Sequence, residues 1–143
     1  MAINTIIQPV IAMLLLTFFM AMWMLFTRIP AMKRLKIHPQ KAQNSQSLKE
    51  LLPHSVVRVA NNYNNLFEQP LLFYTICLVI ALLNHVDTIH VFTAWTYVVV
   101  RIVHSFVQAR FDIVMIRFYL FILSWIPLMV LIIRESIKVF NLS

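Results

Sequence analysis

Residues 6 to 27, IIQPVIAMLLLTFFMAMWMLFT, run for 22 positions without a charged side chain. As a helix such a run extends about 33 Å, enough to cross the roughly 30 Å hydrocarbon core of a bilayer. Hydrocarbon offers no partner to a bare N–H or C=O, so a chain that enters it does so as a helix or as a closed barrel. An unbroken run of this length selects the helix. No basic residue precedes it and no small-residue cleavage site follows, so it is expected to stay as a membrane anchor rather than leave as a signal peptide. Pro9 falls in its first turns, where a missing N–H is tolerated.

The rest of the chain follows the same solvent. Of its 143 residues, 61% are hydrophobic and 12% charged, against about 25% charged in a soluble domain. The net charge of +7 is expected to face anionic lipid from the loops, not nucleic acid, because the basic residues are not interleaved with aromatic stacking platforms. Glycine is absent, which excludes the glycine loops that bring backbone against a phosphate. Cys77 is the only cysteine and lies in an apolar run, so it reads as a buried, unreactive thiol.

Three further spans are expected. Leu71 to Leu83 gives only 13 uninterrupted apolar residues, too few to cross alone; the helix must start near Val56 and carry the polar stretch RVANNYNNLFEQP with it. The spans are therefore placed at about 6–27, 56–83, 89–108 and 113–134, with a basic loop over 28–55, all in one domain of residues 1–143. Short connectors make this an all-α membrane protein, a four-transmembrane-helix up-down bundle. The 28–55 loop holds Arg28, Lys33, Arg34, Lys36, Lys41 and Lys49, while the N-terminus and the connector NHVDTIH hold no Lys or Arg. By the positive-inside rule that loop is cytoplasmic and both termini are non-cytoplasmic. The tail with Arg134, Glu135 and Lys138 is close to neutral and leaves this orientation unchanged.

Polar residues recur at helical spacing. At 100° per residue Arg58, Asn61, Asn65 and Glu68 fall within an arc of about 80°, with Asn62 beside them; Arg101, His104 and Gln108 fall within about 60°. Arg117 and Ser124 share a face of the last span. Arg101 lies deep in its span, where a charge needs a partner or a wet cavity, and Glu68 is its natural counter-ion, either as a purely structural pair or as part of a ligand site. His104 has no second intramembrane histidine and no Cys/His/carboxylate set beside it, so no metal is expected. The asparagines could also serve as interhelical glue. Three arginines, carboxamides and one carboxylate suit a ligand bearing carboxylates and an amine, and an arginine beside a thiol favours the thiolate.

RVANNYNNLFEQPLLFY, WTYVVVRIVHS and Arg117, thirteen positions after His104, together resemble the membrane-associated proteins in eicosanoid and glutathione metabolism, MAPEG, and look most like their bacterial branch. The resemblance covers roughly residues 55 to 135. It implies a homotrimer in a bacterial inner membrane, glutathione as thiol cosubstrate held between subunits near the cytoplasmic side, and a lipophilic substrate arriving from the lipids. It also implies that Arg58, Asn62 or Asn65, Glu68, Arg101 and His104 contact glutathione or shape its site, and that Arg117 is the catalytic residue that stabilises the thiolate. The chain departs from the family in three places. Glu68 stands two residues before Pro70 rather than three or four, Gln108 replaces a tyrosine of the eicosanoid-making relatives, and Phe118 replaces a serine. These departures leave prostaglandin or leukotriene synthesis unsupported. The expected function is a glutathione-dependent membrane transferase or peroxidase acting on lipophilic electrophiles; the alternatives are a non-catalytic member that binds a lipid or partner protein, and a small transporter. A transporter would need a deep acidic residue, and the first span carries no charge.

Overall fold

The computed structural model describes residues 1–38, 40 and 49–142. Among the described residues four spans are formed by α1 (Asn4–Arg34), α2 (His54–Asn65) with α3 (Gln69–Leu82), α4 (Thr88–Phe106), and α5 (Val114–Val139). Each span contains a window long and apolar enough to cross a membrane, the second by running from His54 to Leu82. α1 continues through Arg28, Lys33 and Arg34, residues that belonged to the expected loop. Its last turn holds Lys33 and Arg34, whose charges favour the negative end of the helix dipole. Lys41 of that loop lies outside the described residues.

The second span is not the single helix expected over 56–83. The polar stretch is helical as far as Asn65, but Pro70 lacks an N–H and its ring opposes the carbonyl four residues back, so the chain breaks between them. Phe67 and Glu68 tighten to bonds with Asn64 O and Asn65 O at 3.1 and 3.2 Å. Pro70 then sits in the first turn of α3, where its missing donor costs nothing. The fourth span runs past its expected end, so Glu135 is helical and buried rather than part of a tail.

Three helix ends close without glycine. After α1, α3 and α5, Lys36, Asn84 and Asn141 adopt φ of 55°, 57° and 52°. The N–H groups of the following residues, Ile37, His85 and Leu142, reach back to Met32 O, Ile80 O and Ile137 O at 2.9, 3.0 and 3.1 Å. This double turn satisfies carbonyls that a helix end leaves open.

The core is a seam of Ile6, Met13 and Met20 from α1, Phe73, Cys77 and Ile80 from α3, Tyr97 and Val98 from α4, and Leu128 and Leu131 from α5. Phe73 and Tyr97 stack at 4.4 Å. Outward-facing side chains such as Leu15, Phe18, Leu82, Phe92 and Tyr119 are large and apolar, the inverse of a water-soluble bundle and the surface that lipid requires.

Polar contacts pin both ends. At one end Asp87 caps α4, accepting from His90 N at 2.8 Å. It also accepts from Arg134 at 2.7 Å and Lys138 at 3.3 Å on α5, while buried Glu135 meets His85 at 2.6 Å. At the other end Arg58 Nε donates to Ala109 O at 3.0 Å. The connector after α3 and the end of α5 therefore share one face of the bundle, and the start of α2 and the end of the third span share the other, as an up-down order demands.

Two outcomes are expected. Lys36→Gly removes a Cβ from a left-handed position and stabilises the protein by roughly 0.5 to 1 kcal/mol, read as a higher melting temperature in lipid nanodiscs. Burial alone would raise the Asp87 carboxyl, but the His90 N–H, the charge of His90, the Lys138 hydrogen bond and the charge of Arg134 hold it down to about 2. The stability it adds is present above its unfolded value near 4 and is lost as pH falls towards 2. Melting temperature should therefore drop over that interval in wild type and drop less in Asp87→Asn.

Candidate functional site

The break at Pro70 and an irregularity in the third span open a cleft between them. After Phe106 the helix widens into a π-turn, Val107–Phe111, of the kind that often marks functional sites. Asp112 closes it in the left-handed region at φ 50° and ψ 43°. The π-turn carbonyl of Ala109 is held by Arg58, so Arg58 braces this turn from α2.

The cleft has a volume of about 610 Å³, within the range of small-molecule sites. Asn61, Asn64, Asn65 and Glu68 line it from the second span, His104 and Gln108 from the third, with Lys49 at the rim. The α5 wall carries Arg117 beside Val114, Phe118 and Phe121. One wall is therefore rich in donors and charge, the other largely apolar. Asn65 Nδ2 donates to Gln108 Oε1 at 3.1 Å and ties the two polar walls together.

Behind it lies a smaller cavity of about 70 Å³ that shares Asn65, Glu68, His104 and Phe121 with the cleft and adds Gln69 and Arg101. Arg101 is 1% exposed. Its expected ion pair with Glu68 is not formed; its Nη1 donates instead to Gln69 Oε1 at 3.4 Å. The reason is the break before Pro70, which rotates Glu68 away from the helix register used to place it and sets Gln69 at the start of α3. The Gln69 oxygen also accepts from Tyr97 at 3.2 Å and Ser124 at 2.9 Å, so one carboxamide joins α3, α4 and α5. Sequence reasoning missed Gln69, since a lone glutamine before a proline carries no periodic signal.

The expected site residues thus divide. Asn65, Glu68, His104 and Arg117 meet at the cleft and Arg101 at its inner end. Arg58 turns to the π-turn backbone. Asn62 is fully buried, with neither amide atom partnered among the described residues. Asn61, which shares the face of Asn65 in the angular count, lines the cleft where Asn62 does not.

Arg101 Nε, His104 Nδ1 and Gln69 Nε2 are buried and likewise without partners among the described residues. Buried donors are seldom left bare, and a guanidinium in a low-dielectric interior asks for an anion. Arg117, on the rim, donates to Asp112. Among the described residues no group of three His, Cys, Asp or Glu side chains could hold a metal ion. The site suits an anionic ligand with hydrogen-bonding arms, open on one side to an apolar molecule.

The family model described as MAPEG family matches residues 6–135 of the chain. No curated protein and no solved structure matches it.

Removing the shared acceptor tests the inner cavity. Gln69→Leu strands the donors of Tyr97, Arg101 and Ser124 and should cost about 2 kcal/mol of stability or more, measured by unfolding in mixed micelles; Tyr97→Phe, which removes one donor with its bond, should cost less.

Proposed function

The chain belongs to the MAPEG family, and from that premise we propose that this multi-pass membrane protein is a glutathione-dependent transferase or peroxidase acting on lipophilic electrophiles. The observation that carries the reading is the set of buried, unpartnered atoms of Arg101 and His104 at the inner end of a cleft whose rim bears Arg117. Glutathione has two carboxylates, an amine and a thiol, which match that set: arginine forks for carboxylates, Asn65 and its neighbours for the peptide groups, and Glu68 for the amine.

In this reading Arg117 stabilises the sulfur anion. Lowering a thiol from about 8.5 to about 6.5 takes roughly 2.7 kcal/mol, within reach of one close guanidinium in a site of low dielectric. The sulfur then attacks an electrophilic carbon and the leaving group departs with the bonding pair. In the peroxidase version it attacks a hydroperoxide oxygen, the O–O bond breaks to release the alcohol, and a second thiol completes the disulfide with loss of water. Val114, Phe118 and Phe121 offer the apolar wall along which such a substrate enters from the lipid. Arg58 and Asn62 act as shaping residues, Arg58 through the π-turn carbonyl. The same reading carries the assembly as a homotrimer in a bacterial inner membrane, with the cleft towards the cytoplasm and both termini away from it.

One observation favours a second reading, a non-catalytic member that binds a lipid or partner protein: the Arg117 guanidinium is already engaged by Asp112. Titration calorimetry and thiolate absorbance separate the two. Wild type should bind glutathione at millimolar concentration or tighter and form thiolate near neutral pH. In Arg117→Ala the thiolate should return towards pH 8.5, with kcat for a chlorinated dinitrobenzene falling about 10- to 100-fold. Absence of glutathione binding, or a titration unchanged by Arg117→Ala, decides for the second reading.

A further inference from the structure

Asp112 Oδ1 meets Arg117 Nη1 at 2.5 Å, and its other oxygen, Oδ2, lies 3.3 Å from His54 Nε2. The carboxylate therefore links the start of α2 to the first turn of α5, next to the cleft that Arg117 lines. It reaches that place through strain: a non-glycine residue in the left-handed region closes a π-turn, its N–H bonded to Val107 O at 2.7 Å. Such conformations cost free energy and persist where the surroundings demand them. Closing the π-turn fixes that backbone, and the carboxylate is not occupied in capping α5, which begins without a side-chain cap.

The contact with Arg117 is one-pronged. A guanidinium offers five N–H groups in a planar fork; Asp112 takes Nη1 alone, and Arg117 still lines the cleft. The Asp112 side chain is 15% exposed and that of Arg117 32%, so the pair is only partly screened. His54 is 74% exposed, so its contact with Asp112 is screened by solvent.

We infer that Asp112 is the positioning residue of the cleft, anchoring Arg117 in place and offsetting part of its charge, and so setting how strongly a bound sulfur anion is held. This rests on the reading that Arg117 faces a thiolate. It also accounts for the ion pair that favoured a non-catalytic protein: the anchor leaves Nε and Nη2 of Arg117 to the ligand.

The test separates charge from anchoring in nanodisc-reconstituted protein. Asp112→Asn keeps an oxygen acceptor and removes the negative charge; the thiolate of bound glutathione should then titrate about 0.5 to 1 pH unit lower than in wild type. Asp112→Ala removes the anchor as well, and its kcat should fall about tenfold below that of Asp112→Asn, with KM for the electrophile within twofold. Asp112→Glu should restore the wild-type titration. In the Arg117→Ala background the kcat difference between Asp112→Asn and Asp112→Ala should vanish, since the anchoring acts through the guanidinium. Should Asp112→Asn fail to fold, the Glu and Ala variants carry the comparison: identical titration and kcat in those two overturns the inference. A wild-type thiolate that titrates unchanged in Asp112→Asn overturns it alone, whereas a wild type that forms no thiolate overturns the proposed function and this inference with it.

Discussion

A guanidinium enclosed in a lipid-embedded bundle is the constraint around which the polar interior is arranged. Arg101 is buried, carries a full charge and makes no ion pair among the described residues. In hydrocarbon such a group costs several kcal/mol unless something polar surrounds it. The Gln69 carboxamide supplies part of that surrounding, and the inner cavity beside Glu68 and His104 supplies room for the rest. A carboxylate in contact would have neutralised much of the Arg101 charge. A neutral oxygen, shared with Tyr97 and Ser124, orients the guanidinium and leaves its charge available.

Two departures from regular helix make this arrangement possible. Pro70 breaks the second span and places Gln69 in the interior of the bundle, while the π-turn after Phe106 ends the third span at Asp112. Each irregularity frees backbone groups that must be satisfied within the protein. The Ala109 carbonyl goes to Arg58 and the Asp112 N–H to Val107 O. The far end of the bundle is built differently, from Asp87, Arg134, Lys138, His85 and Glu135. That network fixes α5 against the α3–α4 connector, at the end of the bundle away from the cleft.

Much of the candidate site was legible. The apolar spans, the deep position of Arg101 and the shared faces of Asn61 with Asn65 and of His104 with Gln108 all follow from counting along one helix, and these residues do meet at the cleft or its inner end. The roles of Gln69 and Asp112 did not follow. Neither has a periodic partner, and each becomes significant only through a residue far away or on another element: Gln69 through Ser124, 55 positions on, and Asp112 through His54.

The sequence by itself determined the solvent, the number of crossings and the family. Those depend on run length, charge count and a spaced motif, all of which are properties of the chain read in order. The tertiary structure alone decided which polar atom meets which: Gln69 rather than Glu68 against Arg101, Asp112 against Arg117, Asn61 towards the cleft and Asn62 into the protein. The physical reason is rotational phase. Helical spacing gives the angle between residues on one uninterrupted helix, but a break or a π-turn resets that angle by about 100° for each residue it adds or removes, and the rotation of one helix against its neighbours is set by packing.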